Sequence, residues 1–413
     1  MNSIRTAIRK LPPSTVIKVL RKVFSLPAPA ARLILNDVTR PRKAHKPWIR
    51  KVNHDDWTGC WIGENVEDLD DSALHDRIAE ADLIFFNVHG GGFRIGTCTM
   101  YMDTYIQWVS IMKKKYNINA LIMSVDYRLA PEFRYPSPVE DIVRAYEHIT
   151  QVLGVDGSKI IVTGDSAGAA LVLEMLFITH DPSMFEIVTE DEAEDEAVIS
   201  ELPRPAGTVL VSPLVTDETT SESWQVNSQY DFITQYTAKV IKKDYFELPD
   251  PESPPDHHQQ VLGIAKLQTG FQAFLSPSVL MFVGNKEVLR DDALELAEKA
   301  EQDGVAWQTV VEDCVHDWFC VREVVKDREI LDRADDKFAD FCYRVLAQQN
   351  PLGMYRRASE GLDAVPEEDD EDDEDDFHEA MTTNSDFERQ MLERLDLHTD
   401  TGSKRSTMTT VYV

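Results

Sequence analysis

Six short apolar runs, each nearly unbroken, punctuate the middle of this chain: Leu83–Val88, Ala120–Val125, Ile160–Thr163, Thr208–Val211, Val279–Val283 and Trp307–Val311. A strand with one wet face alternates apolar and polar residues, whereas a strand covered on both faces has no reason to. Between the runs lie segments of helical periodicity, roughly Tyr101–Tyr116, Val139–Val152, Ala167–Thr179 and Asp291–Asp303. Strand–helix alternation of this kind predicts an α/β fold, with a mostly parallel central sheet flanked by helices.

The formal net charge of −31 is unevenly placed. Residues 1–51 are basic, with Asp37 as their single acid, while Glu190–Glu196 and Glu367–Asp376 hold dense acidic runs. Like charges in such blocks repel and stay solvated, so the acidic total says little about a substrate and argues against a nucleic-acid partner. The five cysteines are an odd number without metal-type spacing, which predicts free thiols in a reducing compartment and hence a cytoplasmic protein. No apolar run reaches the length of a membrane span. In the basic front end, Pro12-Pro13-Ser14 offers a helix start with Ser14 as N-cap, followed by an amphipathic stretch over 14–24. That stretch reads either as a helix packed on the main body or as a peripheral contact with a lipid surface.

The third run leads into Gly164-Asp165-Ser166-Ala167-Gly168, followed by Ala169-Ala170-Leu171. A strand, a sharp turn and a helix start are the context that Gly-x-Ser-x-Gly requires to present a nucleophile. Glycine is needed where the chains on either side of the serine nearly collide. The helix N-terminus and the Ala167 N–H would then face developing negative charge. The first run ends in His89-Gly90-Gly91-Gly92, whose three glycines cost backbone entropy without a structural motive. The N–H groups of Gly91 and Gly92 can approach a carbonyl oxygen unobstructed, and with Ala167 they would form an oxyanion hole. His89 and Gly90 support that loop.

A serine hydroxyl needs a base, and in this chain order the acid precedes the histidine. His180 ends the helix after the nucleophile, and His257 and His258 fall in a proline-rich stretch. His316 follows the last predicted strand, where a base belongs. Glu287 follows the strand before it and is the expected acid. Asp291 is the alternative, although it stands where a helix begins and could simply cap it.

His89-Gly90-Gly91-Gly92, Gly164-Asp165-Ser166-Ala167-Gly168, Asp126-Tyr127-Arg128-Leu129-Ala130-Pro131-Glu132 and Pro136-Ser137-Pro138-Val139-Glu140-Asp141 together resemble the hormone-sensitive-lipase family of esterases. The resemblance covers roughly 80–345. It implies an α/β-hydrolase fold with a helical cap, ester hydrolysis without a cofactor, Ser166, Glu287 and His316 as triad, and Gly91, Gly92 and Ala167 as oxyanion donors. Family members often carry Asp where Glu287 stands. Arg128 and Glu132 are expected in buried or half-buried ion pairs.

The expected organisation is an N-terminal helical cap segment over 1–60, a catalytic domain over 61–347 and an acidic, largely disordered tail over 348–413. Within the catalytic domain, an acidic insertion occupies 181–206 and a second cap part about 215–260. The expected activity is hydrolysis of a small-molecule or lipid ester through an acyl-enzyme. An amidase or deacetylase of a small metabolite, and a non-catalytic receptor on the same fold, are the alternatives.

Overall fold

The computed structural model describes residues 11–180, 202–246 and 263–349. Eight strands form one sheet in the order β1-β2-β4-β3-β5-β6-β7-β8. They are β1 (Ile49–Asn53), β2 (Thr58–Ile62), β3 (Leu83–Val88), β4 (Ala120–Asp126), β5 (Ile160–Asp165), β6 (Gly207–Val211), β7 (Ser278–Gly284) and β8 (Ala306–Glu312). All pairings from β4 to β8 are parallel, while β1 with β2 and β2 with β4 are antiparallel.

The continuous apolar runs have a direct cause. Ile84, Phe86 and Val88 of β3 enter one core, and Leu83 and Phe85 enter the other. The same split divides Val279, Met281 and Val283 from Leu280 and Phe282 in β7. Each strand feeds two cores at once, so neither face can be polar. Polar residues survive inside where they are paired: Asn87 donates to Tyr105 and Ser124 and accepts from Thr163.

The helices are α1 (Pro13–Ser25), α2 (Ala28–Thr39), α3 (Asp71–Ala79), α4 (Met102–Tyr116), α5 (Ser137–Glu147) and α6 (Ser166–His180). They continue with α7 (Glu222–Val226), α8 (Gln235–Ile241), α9 (Phe271–Phe274), α10 (Arg290–Gln302) and α11 (Arg328–Gln349). Helix α1 starts two residues earlier than a Ser14 N-cap implies. Its N-cap is Pro12, with Pro13 in the first turn, and no side chain caps it, so Ser14 does not hold that role. Proline suits this place because its fixed φ is helical and its missing N–H would have had no partner.

Val16, Val19 and Val23 of α1 are buried against the body. Arg21 turns inward and donates to the carbonyls of Ser228, Gln229 and Asp231. Arg32 of α2 donates to the carbonyls of Arg94 and Ala130. Both basic residues therefore fasten the helices to the protein rather than facing outward. Among the described residues, no helix is long and apolar enough to cross a membrane.

The β1–β2 hairpin was not expected. It places the start of the sheet at Ile49, earlier than the boundary at residue 61. Of the insertion at 181–206, residues 202–206 are described, and Leu202 and Ala206 are buried. Of the tail at 348–413, only 348 and 349 are described, as the end of α11. The rest of both segments, residues 247–260 of the second cap part, and His257 and His258 lie outside the described residues.

Candidate active site

Ser166 begins α6 with φ of 49°, a left-handed conformation that costs a non-glycine residue energy. The turn is held by contacts that exclude any side chain at its glycines. A Cβ on Gly168 would lie 2.2 Å from the Val88 carbonyl oxygen, and one on Gly164 would lie 2.7 Å from the Gly168 carbonyl oxygen. Helix α6 thus abuts the end of β3, directly before the glycine loop.

That loop follows β3 with φ of 108° at Gly91 and 61° at Gly92. Gly92 lines a cavity with Ser166 and His316, walled by Phe24, Leu214, Trp224 and Ile241. The loop is fixed from three sides. The Tyr127 hydroxyl donates to the His89 carbonyl at 2.8 Å, and its ring stacks on His89 at 4.5 Å. His89 Nδ1 lies 2.8 Å from the Gly90 carbonyl oxygen, and burial keeps its imidazole below the ordinary range and so neutral. Asp165 presses against Gly90, where a Cβ would lie 2.3 Å from its Oδ2, which accepts from the Tyr101 hydroxyl. His89 is therefore packed and hydrogen-bonded within the loop. The role of Asp165 was not foreseen: burial lifts its carboxyl to about 6, against the pull of Tyr101 and the Gly90 N–H.

The Asp-Tyr-Arg stretch behind the loop is structural. Arg128 pairs with Asp141 at 2.8 Å and with Glu140 at 2.9 Å, which ties it to α5. Glu132 is not buried: its side chain is about half exposed and pairs with Arg32. It sits on the outer side of the turn, where it joins the loop to α2.

His316 follows β8 and is buried. Its Nε2 lies 2.9 Å from Ser166 Oγ, and its Nδ1 lies 3.3 Å from Glu287 Oε2. Glu287 is itself wholly buried in the loop after β7. Serine, glutamate and histidine therefore converge in the order the sequence predicts. Asp291 does not join them. Its carboxylate accepts from the Ser223 N–H at 2.7 Å and pairs with Arg290, so it fastens α7 to the start of α10.

Two further acids surround the imidazole, and sequence reasoning missed both. Asp231 accepts from the backbone N–H groups of Phe232, Val288 and, at 3.4 Å, His316. It clamps the loops that carry Glu287 and His316 to one another. Asp317 places Oδ2 3.3 Å from His316 Nε2. Burial opposes charge on the imidazole, yet Asp317, Glu287 and Asp231 carry it up to about 10. Burial also lifts Asp231 to about 6 and Asp317 well above the carboxylate range. Burial thus works against a charge on Asp317, while the neighbouring imidazolium favours it.

The order of the parallel strands, the Ser166 turn between β5 and α6 and the glycine loop after β3 together define the α/β-hydrolase class. The chain belongs to the family described as alpha/beta hydrolase fold, which matches residues 85–320. It is 30% identical to Lipase 2 of Moraxella sp. over 245 residues, covering 56% of this chain and 52% of that protein. It is 28% identical to an esterase of Acinetobacter venetianus over 225 residues, covering 54% of this chain and 63% of that protein. The chain thus spans roughly half to two thirds of the curated relatives it matches. In fold, it matches a solved hormone-sensitive lipase from a metagenome library with a TM-score of 0.57 and 21% identity, covering 82% of this chain and 98% of that one. The α/β-hydrolase fold expected from the sequence is borne out.

Proposed function

We propose that this chain is a carboxylic-ester hydrolase that works through an acyl-enzyme on Ser166. The observation that carries the reading is Ser166 Oγ at 2.9 Å from His316 Nε2, with Glu287 at 3.3 Å on the opposite ring nitrogen. An imidazole with a hydroxyl at one ring nitrogen and a carboxylate at the other is the arrangement that activates the hydroxyl.

Ser166 Oγ attacks the ester carbonyl as its proton passes to Nε2. Glu287 orients the ring and stabilises the cation that forms. Negative charge on the carbonyl oxygen is met by the N–H groups of Gly91, Gly92 and Ala167, and each such donor is worth about 3 kcal/mol in related chemistry. His316 then protonates the leaving alcohol, and water repeats the cycle on the acyl group. Helices α1 and α2 with residues 215–246 act as the cap over this centre, in keeping with Phe24, Leu214 and Ile241 in the cavity wall. The substrate is a small-molecule or lipid ester.

Hydrolysis of p-nitrophenyl butyrate by the full chain and by Ser166→Ala tests the reading. Loss of the nucleophile should lower kcat/KM by at least about 10⁴-fold. A variant as active as the parent would end it. Matched ester and amide substrates separate the esterase from the amidase: amide turnover equal to ester turnover would move the reading to the latter.

A further inference from the structure

A second cavity lies beside the one that holds Ser166. Its cavity volume is about 140 Å³, against about 30 Å³ for the serine cavity. Phe24 lines both. Its ring lies 5.5 Å from Phe232, whose ring stands edge-on to His316 at 5.4 Å. Two aromatic rings and Asp317 therefore stand between this chamber and the base. The upper wall is apolar: Val16, Val19 and Leu20 come from α1, and Ile34, Leu35 and Val38 from α2.

The chamber has one unusual polar group. Asp317 lines it and is 3% exposed. Its backbone N–H donates to Ser212 Oγ and its Oδ2 faces His316 Nε2, but Oδ1 has no hydrogen-bond partner among the described residues. Native structures rarely leave such an atom unsatisfied, because a buried polar group without a partner costs about 1–3 kcal/mol. The backbone here has φ of 54°, so the residue is held in a left-handed conformation that aims this side chain.

We propose that the chamber receives an apolar limb of the ester substrate that carries a hydroxyl or amide N–H, and that Asp317 accepts a hydrogen bond from that group. The inference rests on the esterase reading and names its substrate class. A wholly apolar limb would fit the walls but leave Asp317 orphaned. Sites built to hydrogen-bond a substrate group discriminate strongly against analogues that lack it. Burial disfavours the charged form of the Asp317 carboxyl, so a neutral donor suits it better than an ammonium.

The test compares kcat/KM of the full chain for p-nitrophenyl octanoate and its 2-hydroxy and 3-hydroxy derivatives. Ratios within one variant cancel any general loss caused by altering a neighbour of His316. The parent should prefer at least one hydroxy ester by about tenfold. Asp317→Asn, which tolerates the left-handed backbone and keeps an acceptor, should retain most of that preference. Asp317→Gly, which removes the acceptor without backbone strain, should bring the ratio to about one. Val38→Trp, which narrows the chamber, should lower the octanoate-to-acetate ratio by about tenfold. Equal rates for plain and hydroxylated octanoates in the parent, a preference unchanged in Asp317→Gly, or an octanoate-to-acetate ratio unmoved by Val38→Trp would each overturn the proposal. All three leave ester hydrolysis intact. Failure of the esterase reading looks different, as acetate hydrolysis that is absent or indifferent to Ser166→Ala.

Discussion

The Ser166 turn and the His316 pocket meet across 2.9 Å, yet they are built on different physics. The serine side is a matter of backbone. Glycines at 90, 91, 164 and 168 let main chains approach where no Cβ fits, and Ser166 takes its direction from that crowding. The histidine side is a matter of charge. Glu287, Asp231 and Asp317 surround one imidazole in a space closed to water, and their mutual influence sets who holds a proton. Steric constraint tolerates almost no substitution, but its failures are local. A charge cluster tolerates changes of shape, and its failures spread to every member.

That contrast can be broken most severely at Glu287. Glu287→Gln keeps the shape and removes the charge, and should lower kcat by about 10³-fold, while Asp291→Asn should change it less than about threefold. The same variant should move the pH profile. Activity needs a neutral His316, so kcat/KM rises with pH as the imidazole loses its proton, and the three acids place that rise above the ordinary histidine range. Removing the Glu287 charge should carry the rise to lower pH. A midpoint that stays in place in Glu287→Gln would show that another acid holds the imidazolium.

On the steric side, Gly168→Ala should destabilise the fold by about 3 kcal/mol, because its Cβ would meet the Val88 carbonyl oxygen at 2.2 Å and neither backbone can withdraw. Denaturant unfolding measures it, and a loss under about 1 kcal/mol would mean that the turn is softer than it looks. The smallest expected effect is at Tyr127→Phe, which deprives the His89 carbonyl of its donor at a cost of about 1 kcal/mol. It should loosen the glycine loop and lower kcat by severalfold with little change in KM, and an equal rise in KM would place its role in substrate binding instead.

The same division explains what the sequence reveals. Strands β3 to β7 are legible because burial on both faces writes an unbroken apolar run, and the edge strand β8 is legible from Trp307, Val310 and Val311 despite its half-exposed faces. The β1–β2 hairpin is not: Ile-Arg-Lys-Val-Asn carries its charges on a half-exposed edge, so nothing in it announces a sheet. The serine turn is legible because glycine spacing is a local record of a steric need. Glu287 and His316 are legible by position after their strands. Asp231 and Asp317 are not, since Asp231 reaches the centre from a region 85 residues upstream of His316 and Asp317 looks like any polar neighbour of a histidine. The partner of Glu132 is equally hidden, because Arg32 lies 100 residues away along the chain.

The close approach of Gly168 to Val88 has a consequence for how such a molecule can change. The distance between Ser166 and the glycine loop is a ruler made of atomic radii, with no adjustable part. No mutation elsewhere can lengthen or shorten it by a useful amount. Variation is therefore channelled into α1, α2 and the segment around α7 and α8, which touch the cavities but not the ruler. Reaction and recognition are written in separate stretches of the chain, and a lineage can rewrite the second while the first stays as it is.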